Sequence, residues 1–253
     1  MTWQPVDCHA HTTMSDGALS VDGLVARAAA RGVRPSVADH ISLDVSGSIK
    51  SIEGVESYLD TLDAHPVLRG GEFCWHDSLW REIPSRLVSR FTHRVGSLHA
   101  IHLADGTLVH AFGRGLPADL TPQAYMAAHI DAVERFAAEM PVDILAHPTL
   151  VPIALRRLAH EELWTEAHEE GLVEALYAAG IAFEVSNRYK PHERIVKRAI
   201  DRGVRISLGS DGHTAEQVAN IEWPLALTRR LGVADTDLYD PTVHGSRTQE
   251  TRA

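Results

Sequence analysis

The sequence predicts an α/β fold: one domain built on a parallel sheet, with helices carrying the chain from one strand to the next. Short apolar runs alternate with longer amphipathic stretches, the pattern that right-handed strand–helix–strand crossovers produce. With 253 residues, 44% of them hydrophobic, the chain can bury one large core. Single α/β barrels commonly run to about 250 residues, and roughly seven strand–helix repeats fit a barrel better than an open sheet.

The elements follow in order. Residues 6–10 (VDCHA) read as a strand, and 21–31 as an amphipathic helix with Ser20 at its N-cap and Gly32 just past its end. Strands are expected at 33–38, 67–74 and 93–98, with a helix over 52–64 between the first two. The longest helix spans 121–140 and opens with Pro122 in its first turn. A strand at 142–146, a helix over 161–179 closed by Gly180, and a strand at 181–186 come next. A helix over 191–202 closed by Gly203, a strand at 204–208 and a helix over 215–231 interrupted at Pro224 complete the domain, residues 1–240. The polar stretch 241–253 reads as a disordered tail.

Composition narrows the function. A net charge of −10 disfavours a broad nucleic-acid or anionic-membrane surface, but leaves room for a short nucleotide held by a few arginines. The only cysteines are Cys8 and Cys74, too few for a disulfide scaffold, and they fit a cytoplasmic setting. The opening residues lack the basic-plus-apolar pattern of a secretory signal. No apolar run reaches the roughly 18 residues a membrane span needs. The outlying number is 16 histidines, and histidine is the commonest metal ligand.

These histidines are patterned. The first strand ends in His9-Ala10-His11, followed by Ser15-Asp16-Gly17. Residues two apart on a strand face the same side, so His9 and His11 can reach one ion. Asp39-His40 ends the second strand, and Glu72 the third. His99, His147 and the pair Asp211/His213 follow later strands. The carboxyl ends of parallel strands are where such folds build sites. A lone His-x-His or Asp-Gly-His is weak evidence, because turns use the same residues; the recurrence at successive strand ends is what carries weight. Nitrogen ligands with a few carboxylates suit zinc, manganese or iron better than calcium or magnesium. The candidates outnumber the three protein ligands typical of one catalytic zinc, so two or three divalent ions are expected, with Glu72 bridging. His102 and His110, flanking the His99 loop, are the remaining histidines hardest to dismiss.

The motif series His9-x-His11 with Ser15-Asp16-Gly17, Ala38-Asp39-His40, Gly71-Glu72, Gly96-Ser97-Leu98-His99, Ala146-His147-Pro148 and Ser210-Asp211-x-His213 resembles that of the polymerase and histidinol phosphatase (PHP) superfamily. The resemblance runs from residue 6 to about residue 214. It implies a distorted (β/α)7, TIM-like barrel with a trinuclear metal site. By motif, His9, His11, Glu72 and Asp211 would hold one ion, Glu72, His99 and His147 a second, and Asp16, His40 and His213 would hold or border a third. Asp39 would orient a neighbouring histidine. Val95–His99 and Phe183–Asn187 are most similar to the histidinol-phosphatase branch. Two departures make the reaction class firmer than that substrate: Asp16 stands near where the branch often has a histidine, and Arg188-Tyr189-Lys190-Pro191 fits its substrate loop only loosely.

The expected reaction is hydrolysis of a small phosphate monoester by a metal-activated hydroxide. Glu72, Asp211 and His213 are the expected catalytic residues, and Asp211, His213 or a metal-bound water is expected to supply or relay the leaving group's proton. Arg188 and Lys190 are the first choices for gripping the phosphate, ahead of Arg114, Arg156 and Arg157. Competing readings are a nucleotide phosphatase or exonuclease on the same site, an amidohydrolase, and a non-catalytic metal-bound scaffold. The oligomeric state is not legible.

Overall fold

The computed structural model describes residues 3–113 and 115–245. The strands are β1 (Ser36–Val37), β2 (His40–Ile41), β3 (Leu68–Arg69), β4 (Glu72–Cys74), β5 (Val95–Ser97), β6 (Ala100–His102), β7 (Leu108–His110), β8 (Ile144–Leu145), β9 (Ala182–Ser186) and β10 (Ile206–Gly209). The helices are α1 (Val21–Ala30), α2 (Ile52–Asp63), α3 (Leu79–Glu82), α4 (Ser85–Val88), α5 (Pro122–Glu139), α6 (His160–Leu163), α7 (Glu166–Ala179), α8 (Glu193–Arg202), α9 (Glu222–Arg230) and α10 (Pro241–His244).

Six strands form one all-parallel sheet in the order β10-β9-β8-β5-β4-β2. β1 pairs in parallel with β3, and β6 with β7 forms an antiparallel hairpin. The expected first strand is not a regular ladder strand; it makes isolated parallel bridges at Val6 and Ala10. It is nevertheless well tied. Cys8 N donates to Leu208 O at 2.9 Å and His11 N to Gly212 O at 3.0 Å on one side, while Ala38 N donates to Ala10 O at 2.8 Å on the other. Segment 5–11 thus lies between β10 and the β1 segment.

Caps explain the helix boundaries. Ser20, Ser51 and Thr121 each accept from a backbone N–H in the first turn of α1, α2 and α5. Gly180 and Gly203 end α7 and α8 in the left-handed region, at φ 63° and 91°. The helix expected over 161–179 is broken because Thr165 caps α7 by accepting from His168 N. The helix expected over 215–231 is shorter: Gln217 Oε1 accepts from His213 N and Thr214 N, holding a turn, and α9 begins at Glu222. Pro224 therefore sits in the first turn, where the missing N–H costs nothing, and interrupts no helix. Within the expected tail, Pro241–His244 form α10, capped by Asp240, whose carboxylate also pairs with Arg34 at 2.5 Å. Residues 246–253 lie outside the described residues.

The core fills the space between sheet and helices, with Tyr58, Phe136, Phe183 and Met140 wholly buried. α5 packs so closely on β5 that a Cβ at Gly96 would stand 2.6 Å from Phe136 Cε2 and 3.0 Å from Val142 Cγ2. Overpacking of this kind typically costs about 1–3 kcal/mol. Gly96→Ala should therefore lower unfolding stability by about that amount in urea titration; an unchanged midpoint would show that the helix yields freely.

Candidate metal centre

The candidate ligands converge from separate segments: His99, His147 and Asp211 follow β5, β8 and β10, while His40 and Glu72 open β2 and β4 just past β1 and β3. Glu72 opens β4 with no exposed surface. Its Oε2 lies 3.3 Å from His9 Nε2, 3.8 Å from His11 Nε2 and 2.6 Å from His40 Nδ1. Its Oε1 lies 3.2 Å from His99 Nε2 and 3.3 Å from His147 Nε2. The carboxylate thus faces imidazoles from several strands. Asp211 Oδ1 adds contacts of 3.4 Å to His11 Nε2 and to His213 Nδ1. Asp16, exposed in the loop after His11, lies 3.8 Å from His11 Nδ1, 3.7 Å from His40 Nε2 and 3.4 Å from His213 Nε2.

The donor set fits divalent cations. His11 Nδ1, His40 Nδ1 and Glu72 Oε2 are buried without a hydrogen-bond partner; the short His40–Glu72 approach is not aligned to serve as one. Unsatisfied buried polar atoms cost about 1–3 kcal/mol each, which a cation would relieve. His9 Nε2 and His11 Nε2 are 3.1 Å apart, and His99 Nε2 and His147 Nε2 3.3 Å. Ligands held about 2.1 Å from one ion stand apart by about that much. Three sets gather ligand atoms within 4.8 Å of one another: His11, Asp16, His40 and His213; His9, His11 and Asp211; His40, Glu72 and His99. The grouping differs in part from the one the motifs imply. His11 faces two sets, through Nδ1 and Nε2, and His40 approaches Glu72 as well as Asp16.

Ionisation follows from the neighbours. Burial opposes charge on Glu72, but His40, His99 and His9 outweigh it and hold the carboxyl well below its usual range. Asp211 is pushed down likewise by His11 and His9. Asp16, despite partial burial, is lowered to about 2 by His213, His40 and His11. Burial and the neighbouring His40 push His11 down to about 3, leaving it neutral with one ring nitrogen free to accept. His9 and His99 go the other way. Burial opposes their charge, but Glu184 and Glu72 around His9, and Cys74 and Glu72 around His99, hold both well above the usual range.

Groups behind the ligands fix their aim. Glu184 Oε1 lies 2.8 Å from His9 Nδ1, and its Oε2 accepts from His147 N at 2.6 Å, so one buried carboxylate ties two ligand segments. A Cβ at Gly209 would collide with Glu184 Oε1, so that glycine makes room for the carboxylate. Cys74 Sγ stands 3.1 Å from His99 Nδ1. Asp7 accepts from Ser210 N at 2.7 Å, Ser210 Oγ at 2.6 Å and Ala219 N at 3.0 Å, anchoring the Asp211 loop. His147 and Asp211 both occupy the left-handed region, at φ 31° and 49°. Such backbone costs on the order of 1–3 kcal/mol per residue and persists only where surroundings impose it. Asp39 does not orient a histidine. It instead accepts from Thr12 N at 2.7 Å, Thr12 Oγ1 at 2.6 Å and Ser15 Oγ at 2.5 Å, bracing the loop that carries Asp16.

All the candidate ligands except His9 and His11 line a cavity of 340 Å³ whose wall also includes Arg188, Tyr189, Phe112, Asp44 and His110. Arg188 Nη1 lies 3.7 Å from Asp211 Oδ1 and hydrogen bonds at His213 Nδ1. Lys190, expected beside it, does not line the cavity: its ammonium lies over the Trp223 ring, 5.2 Å from the centroid. The chain bends at 187–189 just past β9, so the two-residue alternation of extended chain does not bring Lys190 back to the side of Arg188. Arg156 reaches the wall indirectly, 5.6 Å over both Phe112 and Tyr189. Arg114 lies outside the described residues. His110 is at the cavity and His102 is not.

No protein-family model and no curated protein matches the sequence. Among solved structures the chain is similar to a protein from Listeria monocytogenes provisionally named histidinol phosphatase hisK. The identity is 13% over 85% of this chain and 97% of that one, with a TM-score of 0.70. At that identity the likeness is one of fold. A HpcH/HpaI aldolase/citrate lyase family protein from Burkholderia cenocepacia (17% identity, 90% and 93% coverage, TM-score 0.37) and a provisionally named metal-dependent phosphoesterase from Bifidobacterium adolescentis (16%, 99% and 94%, 0.28) superpose too poorly to bear on the site.

Two outcomes follow from the geometry. Glu184→Gln should weaken metal affinity by about 10–100-fold, measured by chelator competition; unchanged affinity would deny Glu184 its orienting role. Metal loading of metal-free protein at neutral pH should release protons, because His9 and His99 must give theirs up. Calorimetry in buffers of different ionisation enthalpy reads that release, and a buffer-independent heat contradicts it.

Proposed function

We propose that this chain is a metal-dependent phosphomonoesterase on a distorted (β/α)7 barrel, acting on a small phosphorylated substrate. His9, His11, Asp16, His40, Glu72, His99, His147, Asp211 and His213 would hold two or three ions of zinc, manganese or iron. The observation that carries the reading is Glu72. A fully buried carboxylate shared by imidazoles, beneath a cavity that also presents an arginine, suits an anionic substrate drawn to a cluster of cations. Cations bound there would lower the pKa of water and neutralise phosphoryl oxygens.

The protein's own groups supply the rest. Arg188 offers a planar, permanently charged fork to a phosphate at the cavity wall. Phe112 and Tyr189, with ring centroids 6.4 Å apart, bound the cavity beside His99 and His147 and limit solvent there. A volume of 340 Å³ suits a small molecule, not a polynucleotide strand. The same aromatic wall favours one second reading, a nucleotide phosphatase, since bases stack on such rings. Among the described residues no lysine lines the cavity, which counts against the amidohydrolase alternative. No described helix is long and apolar enough to cross a membrane; the unpaired, buried Cys8 and Cys74 support a cytoplasmic setting.

Purified protein should carry two or three divalent metal ions per chain by elemental analysis and hydrolyse phosphomonoesters. Chelation should abolish turnover, and Glu72→Gln should lower kcat by more than about a hundredfold, beyond the loss usual for an outer-shell change. A panel of alkyl phosphates, mononucleotides and oligonucleotides separates the two readings. Metal-loaded protein inert on every phosphomonoester but active on another bond class would falsify both.

A further inference from the structure

Cleaving an alkyl phosphate turns the ester oxygen into an alkoxide, which needs a proton as the P–O bond breaks. The candidate ligands are poor sources. A histidine that gives its lone pair to a cation has no proton on that nitrogen, and Glu72, Asp211 and Asp16 are held ionised. The other polar side chains at the cavity are Asp44, Ser46, His110, Arg188 and Tyr189. A guanidinium does not surrender its proton near neutral pH. Burial pushes the Tyr189 hydroxyl up, away from the range of an effective acid, and a serine hydroxyl is weaker still.

Asp44 and His110 remain, and they are paired. Asp44 Oδ2 lies 3.5 Å from His110 Nδ1 and 3.0 Å from His76 Nε2. The His76 side chain is only 3% exposed, and its ring stands edge-on to His110 with centroids 5.9 Å apart. Asp44 N donates to Ser42 Oγ at 3.2 Å, so the carboxylate's loop is braced. The 3.5 Å approach is an ion-pair contact between two exposed side chains; an imidazole whose Nδ1 faces a carboxylate presents Nε2 on the opposite side of its ring, and no described residue hydrogen bonds His110 Nε2. His110 ends β7, and the next residue, Ala111, donates its N–H to His99 O at 2.7 Å, fastening the hairpin to a ligand segment.

We propose that His110, oriented by Asp44 against the buried His76, is the general acid that protonates the leaving oxygen. The role rests on the phosphomonoesterase reading. Nε2–H passes its proton to the ester oxygen as the P–O bond breaks. The alcohol departs, water supplies the fourth phosphate oxygen and loses a proton to solvent, and the neutral imidazole takes a proton back from solvent. Asp44 is a positioning residue that keeps the ring's second proton on Nδ1.

The test compares a poor with a good leaving group on metal-loaded enzyme. Proton donation contributes on the order of 10²-fold or more where the leaving group is basic, and little where it is already stable. His110→Gln should therefore lower kcat on glycerol phosphate by about a hundredfold, and by at least tenfold less on p-nitrophenyl phosphate. Asp44→Asn should show the same selective loss in milder form, with the metal content of both variants equal to wild type. An equal loss on both esters, or none on glycerol phosphate, overturns the acid role. Wild-type protein that cleaves neither ester overturns the phosphomonoesterase reading instead, and the acid role falls with it.

Discussion

A carboxylate with no contact to solvent needs positive charge beside it. Removing one ion from water costs several kcal/mol even after the surroundings relax, and the loss must be offset locally. Glu72 is such a group, and among the described residues the side chains that crowd its carboxylate are imidazoles. Imidazoles can answer in two ways. They can take up protons, as His9 and His99 are placed to do, or they can stay neutral and share cations with the carboxylate. The first crowds protonated rings together: His11, squeezed by burial and its neighbour His40, stays neutral down to about pH 3. The second satisfies His11 Nδ1, His40 Nδ1 and Glu72 Oε2 at once. Protons and metal ions thus compete for one buried negative charge.

Holding that charge constrains the backbone. Ligands from separated strands must converge, and the loops bearing them depart from regular geometry, with His147 and Asp211 at positive φ. The restraint comes from other buried carboxylates that are not candidate ligands. Asp7 gathers N–H and O–H groups of the 210–219 loop, Asp39 gathers those of the 12–15 loop, and Glu184 spans His9 and the His147 amide. Each accepts short hydrogen bonds that replace lost hydration. Burial still lifts Asp7 to about 6, a mark of how far from water it stands.

The ligand positions were legible because they recur at strand ends. Alternation on a strand makes His-x-His informative, and that logic needs only sequence spacing. The helices α1, α5 and α8 were legible from a cap, a first-turn proline and glycine stops. What lies between these signals was not. The two-residue ladders β1, β2, β3 and β8 are too short for periodicity to bound. The break before α7 depended on Thr165 turning its hydroxyl to His168 N, a local choice the apolar pattern does not record. Glu184 was invisible as a partner of His9 because 175 residues separate them. Lys190 and Arg188 look alike in sequence, and only the direction of the loop after β9 tells them apart.

Arg188 and the candidate ligand His213 constrain each other's hydrogen bonding. Its guanidinium can only donate, so the bond to His213 requires His213 Nδ1 to accept and Nε2 to carry the ring proton. Nε2 is the nitrogen facing Asp16, 3.4 Å away, within the cluster that suits a cation. A ring that gives Nε2 to a cation must carry its proton on Nδ1, where Asp211 O lies 3.0 Å away and can accept it. Arg188 then has no acceptor on that ring. Arg188 Nη1 keeps Asp211 O as an acceptor at 3.3 Å, and under the proposed function the rest of its fork would be open to a phosphate at the cavity wall.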